Sequence, residues 1–458
     1  MKKILSIVLT FTLIVTVLSG CNKSKPTSDN KGSESNVGTS TSDIKMPSKE
    51  LENTTITFLH WEDVNNESQW EMPWVSMMEQ EFGITLEGTL ASHESYWDTL
   101  ATLVASGTSP DVAYVPSWNY ITPMSNGLLQ PLEDYIDFDS PLWNDKTKAV
   151  REANKWNDKT YIPINNVSFS SLLFFNKSMF KNYGIKTPQE YYLEGTWTWD
   201  KLAEIANKFV HKTSAGIVDV YGVGFQYSSF IASTGKEFVQ KNSDGKGADI
   251  NLKDANLAKI MNNLYDLGQG GTSALAGANG ASLFTANKCA MWCTDADLMI
   301  GAFYDMYKEG NLGWVPLPKV DDTIGHYIET TFDPGWAIVS GAKNPEGAAL
   351  IVEFNKWINI GKGYLRCLPD GESPADAKYA DIMVETQRFG YMKSLFAKED
   401  LDYLKEITKL PQVTNSWRSY LDSSSIAGYN EIWSGTQKWS ALVEKNYPVY
   451  FAAVNSHF

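Results

Sequence analysis

Short apolar segments alternate with amphipathic segments from about residue 54 onward. Residues 55–61 alternate apolar and polar positions and are rich in β-branched and aromatic side chains, which predicts a strand, and residues 111–115 predict the next one. Between them, Ser92 is a predicted helix N-cap and Gly107 a predicted helix end. The apolar face predicted for this helix consists of Trp97, Leu100 and Val104.

Three further segments combine a helix start signal with an apolar repeat of helical period. Thr198 is a predicted N-cap with Asp200 in the first turn, where the helix dipole favours negative charge. Asp254 opens the second segment, and Asn344-Pro345 opens the third with proline at the first helical position. The apolar faces are Trp199, Leu202, Ala206 and Phe209; Leu257, Ile260, Leu264 and Leu267; and Ala349, Val352 and Phe354. This alternation predicts an α/β architecture with largely parallel sheets.

The first 20 residues have the organisation of a secretory signal. Two lysines precede an apolar run, residues 4–18, that is short for a membrane span. The run leads into Leu18-Ser-Gly-Cys21, which resembles a bacterial lipobox. We therefore expect residues 1–20 to be a lipoprotein signal peptide and Cys21 to be lipidated, which would anchor an exported protein to the outer face of the cytoplasmic membrane. An ordinary signal peptide that happens to end at a cysteine is the alternative.

Residues 21–53 form the second part of this leader. They consist mainly of Ser, Thr, Asn, Lys, Gly, Asp and Glu and include no aromatic residue. Such a segment cannot bury enough apolar surface to offset the entropy of ordering it. We expect a flexible tether between the lipid and the folded part.

Length and charge narrow the class of protein. A chain of 458 residues exceeds what one hydrophobic core usually organises, so two lobes are expected. Lys and Arg number 39 against 54 Asp and Glu, a formal charge of −15, which argues against a nucleic-acid partner. The 16 Trp residues suggest flat apolar surfaces that serve more than core packing.

Cysteine and histidine usage indicates no metal site and no nucleophilic catalysis. Cys289 and Cys293 lie four residues apart in a strand-like segment, about 13 Å, which is too far for a disulfide, so we interpret them as small buried side chains. The sequence has no two-histidine zinc motif, no nucleophile elbow and no phosphate-binding glycine loop. We predict no metal, no cofactor and no catalytic residue. Paired acids such as Asp295 with Asp297, or Glu62 with Asp63, leave a glycoside hydrolase as an alternative.

Several segments, taken in order, resemble the maltose-binding-protein-like family of extracellular solute-binding proteins, which are the capture subunits of ATP-driven importers. The matching segments are Gly107-Thr-Ser-Pro-Asp-Val112, Gly127-Leu-Leu-Gln-Pro-Leu132, Tyr161-Ile-Pro163, Leu173-Phe-Phe-Asn-Lys177, Thr196-Trp-Thr-Trp-Asp-Lys-Leu202, Phe284-Thr-Ala-Asn-Lys-Cys-Ala-Met291 and Ala337-Ile-Val-Ser-Gly-Ala-Lys-Asn-Pro-Glu346. The match covers residues 55–360, and residues 370–458 carry no distinctive motif.

The resemblance implies a two-lobe periplasmic-binding-protein-like α/β fold, class II type, with an interlobe cleft and a hinge. Lobe one would comprise residues 54–165 and 337–368, and lobe two residues 166–336 and 369–458. The protein would be a monomer without enzymatic activity that binds a solute in the cleft and delivers it to the permease subunits of an ABC importer.

The cleft is expected to bind a carbohydrate, most plausibly an oligosaccharide. A sugar ring has an apolar C–H face that stacks on Trp, and hydroxyl groups that pair with carboxylates and amides. Three segments that follow predicted strands combine these residue types, and such strand ends collect ligands in open α/β sheets. The candidate ligand-binding residues are Trp61, Glu62, Asp63, Ser117, Trp118, Asn119, Asn165, Trp292, Asp295 and Trp336, with Asn166 a weaker candidate. The same scaffold with a non-sugar solute, such as a peptide, a polyamine or an organophosphate, is the remaining alternative.

Overall fold

The computed structural model describes residues 44–61, 73–117, 119–145, 147–225, 229–243, 246–268, 275–276, 280–299, 302–360, 396–414 and 436–458. For residues 73–77, 168–169, 275–276 and 297 it describes the backbone alone. The predictions for residues 1–43, including Cys21, and for Glu62, Asp63 and Trp118 lie outside the described residues.

The strands and helices alternate along the chain. The strands are β1 (Thr55–His60), β2 (Thr85–Leu90), β3 (Val112–Val115), β4 (Asn166–Phe169), β5 (Ser171–Asn176), β6 (His211–Lys212), β7 (Val218–Phe225), β8 (Val239–Lys241), β9 (Ala248–Ile250), β10 (Leu275–Ala276), β11 (Cys289–Asp295), β12 (Leu312–Val315), β13 (Ile328–Asp333), β14 (Gly335–Ile338) and β15 (Gln412–Thr414). The helices are α1 (Pro73–Phe82), α2 (Tyr96–Ala105), α3 (Ile121–Ser125), α4 (Thr147–Ala153), α5 (Lys177–Tyr183), α6 (Pro188–Leu193), α7 (Trp199–Phe209), α8 (Ala255–Gly268), α9 (Gly280–Thr285), α10 (Tyr304–Lys308), α11 (Pro345–Asn359), α12 (Lys398–Ile407) and α13 (Trp439–Asn455).

The first sheet has the strand order β14-β3-β1-β2. β1 runs parallel to β2 and β3, whereas β14 runs antiparallel to β3. Apolar residues of this sheet, among them Ile56, Val112 and Ile338, form one core with Leu350 and Phe354 of α11. The carboxyl ends of β1 and β3 therefore meet at one edge of a sheet whose position is fixed by packing against α11.

The second sheet has the strand order β10-β7-β11-β5-β12. Alternate residues of β5 enter different cores: Leu173 and Phe175 belong to one, and Leu172 and Phe174 to the other. Apolar burial on both faces is typical of a central strand covered by helices on each side. It also explains why Cys289 and Cys293 are buried free thiols, as predicted.

The prediction of largely parallel sheets is wrong. β5 pairs antiparallel with both β11 and β12, and β14 pairs antiparallel with β3. The physical reason lies in the connections. β5 and β14 each continue directly from a strand of another sheet, β4 and β13, so the strand–helix alternation from which parallel pairing was predicted does not apply to them.

A small sheet, of order β15-β13-β4, links the two larger ones. β4 and β13 are antiparallel, with Asn166 opposite Asp333 and Phe169 opposite Thr330. β4 continues through Ser170 into β5 of the second sheet, and β13 continues through Pro334 into β14 of the first. The chain thus crosses between the two sheets along β4 and β13, which we call the crossing strands.

The predicted helix starts are confirmed. Ser92 caps a short 3-10 turn, His93–Ser95, that continues into α2, and Gly107 follows α2 with a φ of +73°. Thr198 caps α7, and Asn344 caps α11 by accepting a hydrogen bond from the Gly347 amide at 2.9 Å. In each case a short polar side chain satisfies an amide that the helix itself leaves unpaired.

We expect Thr198→Ala to lower the free energy of unfolding by about 1 kcal/mol, the usual cost of removing an N-cap. The Thr198 hydroxyl accepts a hydrogen bond from the Lys201 amide at 3.2 Å, and alanine leaves that amide without a side-chain partner. Urea denaturation measures the change. Thr102→Ala, at an exposed interior position of α2, is the control and should change stability by less than about 0.5 kcal/mol. Equal effects of the two substitutions would contradict the capping role.

Candidate functional site

Four aromatic side chains lie together at the carboxyl ends of β1 and β3. We call His60, Trp61, Tyr114 and Trp336 the aromatic wall. The Trp61 ring stacks on His60 with centroids 4.8 Å apart and meets Tyr114 edge-on at 5.2 Å. Trp336 lies 5.5 Å from His60 and 5.6 Å from Tyr114. Because β14 is antiparallel to β3 with Trp336 opposite Tyr114, the sheet pairing itself brings residues so distant in sequence together.

Tyr96 fixes the strand ends that carry the wall. Its hydroxyl donates to the carbonyls of Leu59 and Tyr114, each at 2.9 Å, and its ring meets Trp61 at 5.1 Å. Burial raises the pKa of this phenol well above its usual range, so the hydroxyl remains a donor. One buried tyrosine from α2 thus holds β1 and β3 in register directly beneath Trp61.

The candidate ligand-binding residues differ in their exposure to solvent. Trp61 is half-buried, and exposed His93 covers its other edge at 5.5 Å. Ser117 and Asn119, which follow β3, are half-buried at the same edge of the sheet. Trp336 is only 3% exposed, so it packs beneath the other rings of the wall and offers little surface to a ligand.

The crossing strands carry a polar cluster next to the wall. The Asp333 carboxylate accepts hydrogen bonds from the Tyr114 hydroxyl at 3.3 Å, the Gly335 amide at 3.0 Å and the Asn165 side-chain amide at 3.4 Å. Burial raises the pKa of Asp333, although these three donors and the charge of Lys356 act in the opposite direction. Asn165 and Asn166 are both buried, and the Asn165 Oδ1 atom has no hydrogen-bond partner.

A second polar cluster lies at the other end of the crossing strands. The Ser170 hydroxyl donates to Asp295 at 3.3 Å, and the Ser171 hydroxyl donates to buried Glu329 at 3.0 Å. Burial, together with the charges of Glu329 and Asp295, raises the pKa of Cys293 well above its ordinary value. Asn166 and Ser170 are separated by four residues of extended chain, so the two clusters stand about 13 Å apart.

Comparison with known proteins identifies the family of this chain. Residues 73–356, more than half of the chain, match the family described as bacterial extracellular solute-binding protein. The chain belongs to this family. The family resemblance and the two-lobe α/β fold predicted from the sequence are confirmed. No curated protein matches the chain.

Solved structures of solute-binding proteins share the fold at low identity. An ABC substrate-binding protein from Listeria monocytogenes in complex with cycloalternan aligns with a TM-score of 0.60 and 16% identity, covering 87% of this chain and 98% of that one. The galacto-N-biose/lacto-N-biose I-binding protein of Bifidobacterium longum, in complex with lacto-N-biose, aligns with a TM-score of 0.63 and 14% identity, covering 89% and 99%. The GacH receptor of Streptomyces glaucescens, studied with acarbose, aligns with a TM-score of 0.58 and 14% identity, covering 87% and 99%.

In this solute-binding protein Trp292 is a core residue. Its side chain is 1% exposed and packs among Phe284 and Phe174 between the second sheet and α9. A Cβ atom at Gly280 would lie 1.6 Å from the Trp292 ring, so α9 covers the ring directly. The neighbouring candidate Asp295 points instead to Ser170 at the crossing strands. The arrangement places Asp295 beside the crossing strands and encloses the Trp292 ring in the core.

Sequence reasoning missed His60, Tyr114 and Asp333 as members of the site. His60 and Tyr114 lie at predicted strand ends, and Asp333 directly precedes the Pro334-Gly335 pair, so signals for all three were present. Within the described ranges no group of three or more His, Cys, Asp or Glu is placed to hold a metal. In the same ranges no helix has the length and apolarity needed to span a membrane.

Proposed function

We propose that this protein is a non-enzymatic, lipid-anchored receptor that captures a carbohydrate, specifically an oligosaccharide, between its two lobes and delivers it to the permease of an ABC importer. The aromatic wall beside the crossing strands is the observation that carries the proposal. It presents the half-buried Trp61 ring at strand ends, where ligands of open α/β sheets collect.

The chemistry around the wall suits a polyol. Aromatic rings supply flat apolar surface for the C–H face of a sugar, and hydroxyl, amide and carboxylate groups supply donors and acceptors for its hydroxyls. Ser117 and Asn119 stand beside the wall, and Asp295 with Ser170 stands about 13 Å along the crossing strands. Groups at both ends of this span would contact a ligand longer than one sugar ring, which favours an oligosaccharide.

The comparisons support the same ligand class. Related folds are described in complex with cycloalternan, lacto-N-biose, maltotriose and mannotriose. The remaining parts of the proposal come from the sequence: cleavage after residue 20, lipidation of Cys21, lobe one at 54–165 and 337–368, and lobe two at 166–336 and 369–458. The predicted tether is proposed only up to residue 43, because Ile44, Met46 and Leu51 pack against the core of the first sheet, which corrects the predicted end at residue 53. Packing of α13 against α8 and β9 favours the assignment of the C-terminal helix to lobe two.

Calorimetric titration of residues 44–458 with a panel of oligosaccharides, among them maltotriose, mannotriose and lacto-N-biose, tests the function. We expect at least one saccharide to bind with one-to-one stoichiometry and to be recovered unchanged. Binding of a peptide, polyamine or organophosphate, with no saccharide bound, would overturn the ligand class. Incubation with chromogenic glycosides tests the hydrolase alternative, because turnover is incompatible with a pure receptor.

Trp61→Ala should weaken saccharide binding by about 1–3 kcal/mol, or about 5- to 150-fold, because the sugar loses its stacking surface. Calorimetry with the tightest saccharide of the panel measures the effect. The control is Trp156→Ala, which removes a half-buried indole that packs against Phe458 rather than in the wall. An unchanged affinity in Trp61→Ala would assign that indole to packing alone.

A further inference from the structure

Tyr114 belongs both to the aromatic wall and to the hydrogen-bond network of the crossing strands. Its ring meets Trp61 at 5.2 Å, while its hydroxyl donates to Asp333 at 3.3 Å. We propose that Asp333 is a positioning residue for saccharide binding, which fixes the Tyr114 ring in the wall and ties the wall to the strands that cross between the lobes. This inference rests on the proposed function and adds a residue that acts without touching the ligand.

Both oxygens of the Asp333 carboxylate are already used by the protein. Oδ1 accepts from the Tyr114 hydroxyl and the Gly335 amide, and Oδ2 accepts from the Asn165 side chain. The three donors belong to β3, to the start of β14 and to the residue before β4. A single carboxylate therefore connects the strand that carries the wall with both crossing strands.

The backbone near this carboxylate, at the start of the first crossing strand, has an unusual conformation. Ile164, just before the first crossing, has a φ of +55°, which is costly for a β-branched residue and persists only where its surroundings enforce it. The ammonium of buried Lys356 enforces it by donating to the Asn165 carbonyl at 2.9 Å and the Ile164 carbonyl at 3.5 Å.

The second crossing also has a residue in the left-handed region, here a glycine that adopts it without strain. Gly335 has a φ of +81°, and the Asn165 side chain fills the space where a Cβ would stand, 2.0 Å from its ideal position. The two crossings thus pack against each other through Asn165, which also donates to Asp333. Strained positions such as Ile164 cluster at ligand clamps and switch regions, where a specific geometry is needed.

Loss of Asp333 would weaken saccharide binding by loosening the orientation of the Tyr114 ring. Without Asp333, the Tyr114 hydroxyl loses one of the contacts that orient the ring against Trp61, and the ring must be ordered more fully when the sugar binds. Ordering a side chain at the moment of binding reduces affinity even where every ligand contact is retained. Asp333 would therefore affect saccharide affinity through Tyr114.

Saccharide affinity and melting temperature are measured for wild type, Tyr114→Phe, Asp333→Ala, the double variant and Asp333→Asn. The probe is whichever of maltotriose, mannotriose and lacto-N-biose binds wild type most tightly. We expect Tyr114→Phe and Asp333→Ala each to bind about tenfold more weakly, the upper end of the cost of ordering one side chain at the moment of binding. The double variant should be no more than about twofold weaker than the weaker single variant, because both substitutions remove the same bond.

Asp333→Asn is the conservative variant and should bind within about twofold of wild type. Its Oδ1 can still accept from Tyr114 and Gly335, so the bond that orients the ring is kept and only the long contact from Asn165 to Oδ2, 3.4 Å, is lost. A purely structural role would lower the melting temperature of Asp333→Ala with no change in affinity. Thr331→Ala, on the same strand, controls for general loosening of β13.

Additive losses in the double variant, or unchanged affinity in Tyr114→Phe, would overturn the positioning role while leaving the proposed function intact. If wild type binds none of the three saccharides or any other member of the panel, both the function and the inference fail. Should Asp333→Ala not fold, Tyr114→Phe and Asp333→Asn still decide the matter, since both preserve the shape of the site.

Discussion

Replacing Lys356 with methionine is expected to lower the free energy of unfolding by about 3–5 kcal/mol, the cost of breaking a buried ion pair by removing one partner. The Lys356 ammonium is fully buried and donates to Asp145 at 2.7 Å, to the Thr147 hydroxyl at 2.9 Å and to the Asn165 carbonyl at 2.9 Å. Methionine fills similar volume but leaves the Asp145 carboxylate and the carbonyl of Asn165 without this donor. Urea denaturation at neutral pH measures the loss.

Lys49→Met is the matched control, because Lys49 pairs with Glu346, which is largely exposed. That pair should contribute no more than about 1 kcal/mol. If Lys356→Met lowered the free energy of unfolding by less than about 1 kcal/mol, the buried ammonium would not be what stabilises the backbone at Ile164 and Asn165.

Acid should weaken the same ion pair. Burial alone would raise the pKa of Asp145, but the charge of Lys356 and hydrogen bonds from Lys356 and Thr147 outweigh it and lower the pKa below its ordinary value. A carboxylate with a depressed pKa stabilises the folded state above its unfolded pKa, and this stability is lost as pH falls through the folded value. Wild type should therefore lose stability below about pH 4 more steeply than Lys356→Met, in parallel urea titrations.

Trp292→Ala is expected to destabilise the protein by about 3–5 kcal/mol, as for other large-to-small substitutions in a core. The indole is 1% exposed and is covered by α9 at Gly280, so the cavity left behind cannot fill with solvent or collapse readily. Thermal or urea denaturation measures this loss. The saccharide affinity of the fraction that remains folded should stay within about twofold of wild type.

Trp292→Phe separates packing from hydrogen bonding. The Trp292 Nε1 atom has no hydrogen-bond partner, so phenylalanine removes volume but no bond and should cost less than alanine. If either variant kept its stability and lost saccharide affinity, the original prediction of a ligand contact at Trp292 would be restored and the core assignment rejected.

The sequence was most informative where structure depends on neighbouring residues. Helix starts at Ser92, Thr198 and Asn344 were readable because a cap acts on amides only two or three positions away. The two-lobe fold class was readable because the chain is too long for one core and its motifs follow a family order, whereas the lobe bounds remain a prediction.

Side-chain placement depended on contacts between distant segments and could not be read in the same way. Trp292 was predicted to bind the ligand because it stands with Asp295 near the end of a predicted strand. Helices cover both faces of the second sheet, however, and the residue types alone do not show that the Trp292 ring lies under one of them. The wall joins Trp61, Tyr114 and Trp336 through an antiparallel pair whose direction was not predicted. Lys356 is a helical lysine in the sequence, and only the fold shows that it is buried.

A crystal structure of residues 44–458 with the tightest-binding oligosaccharide of the panel tests the central claim most directly. We predict a sugar ring stacked on Trp61 beside Tyr114, further rings extending along the crossing strands toward Asp295, and Trp292 still enclosed by α9. A saccharide held elsewhere on the molecule, with no contact to the aromatic wall, would contradict this account.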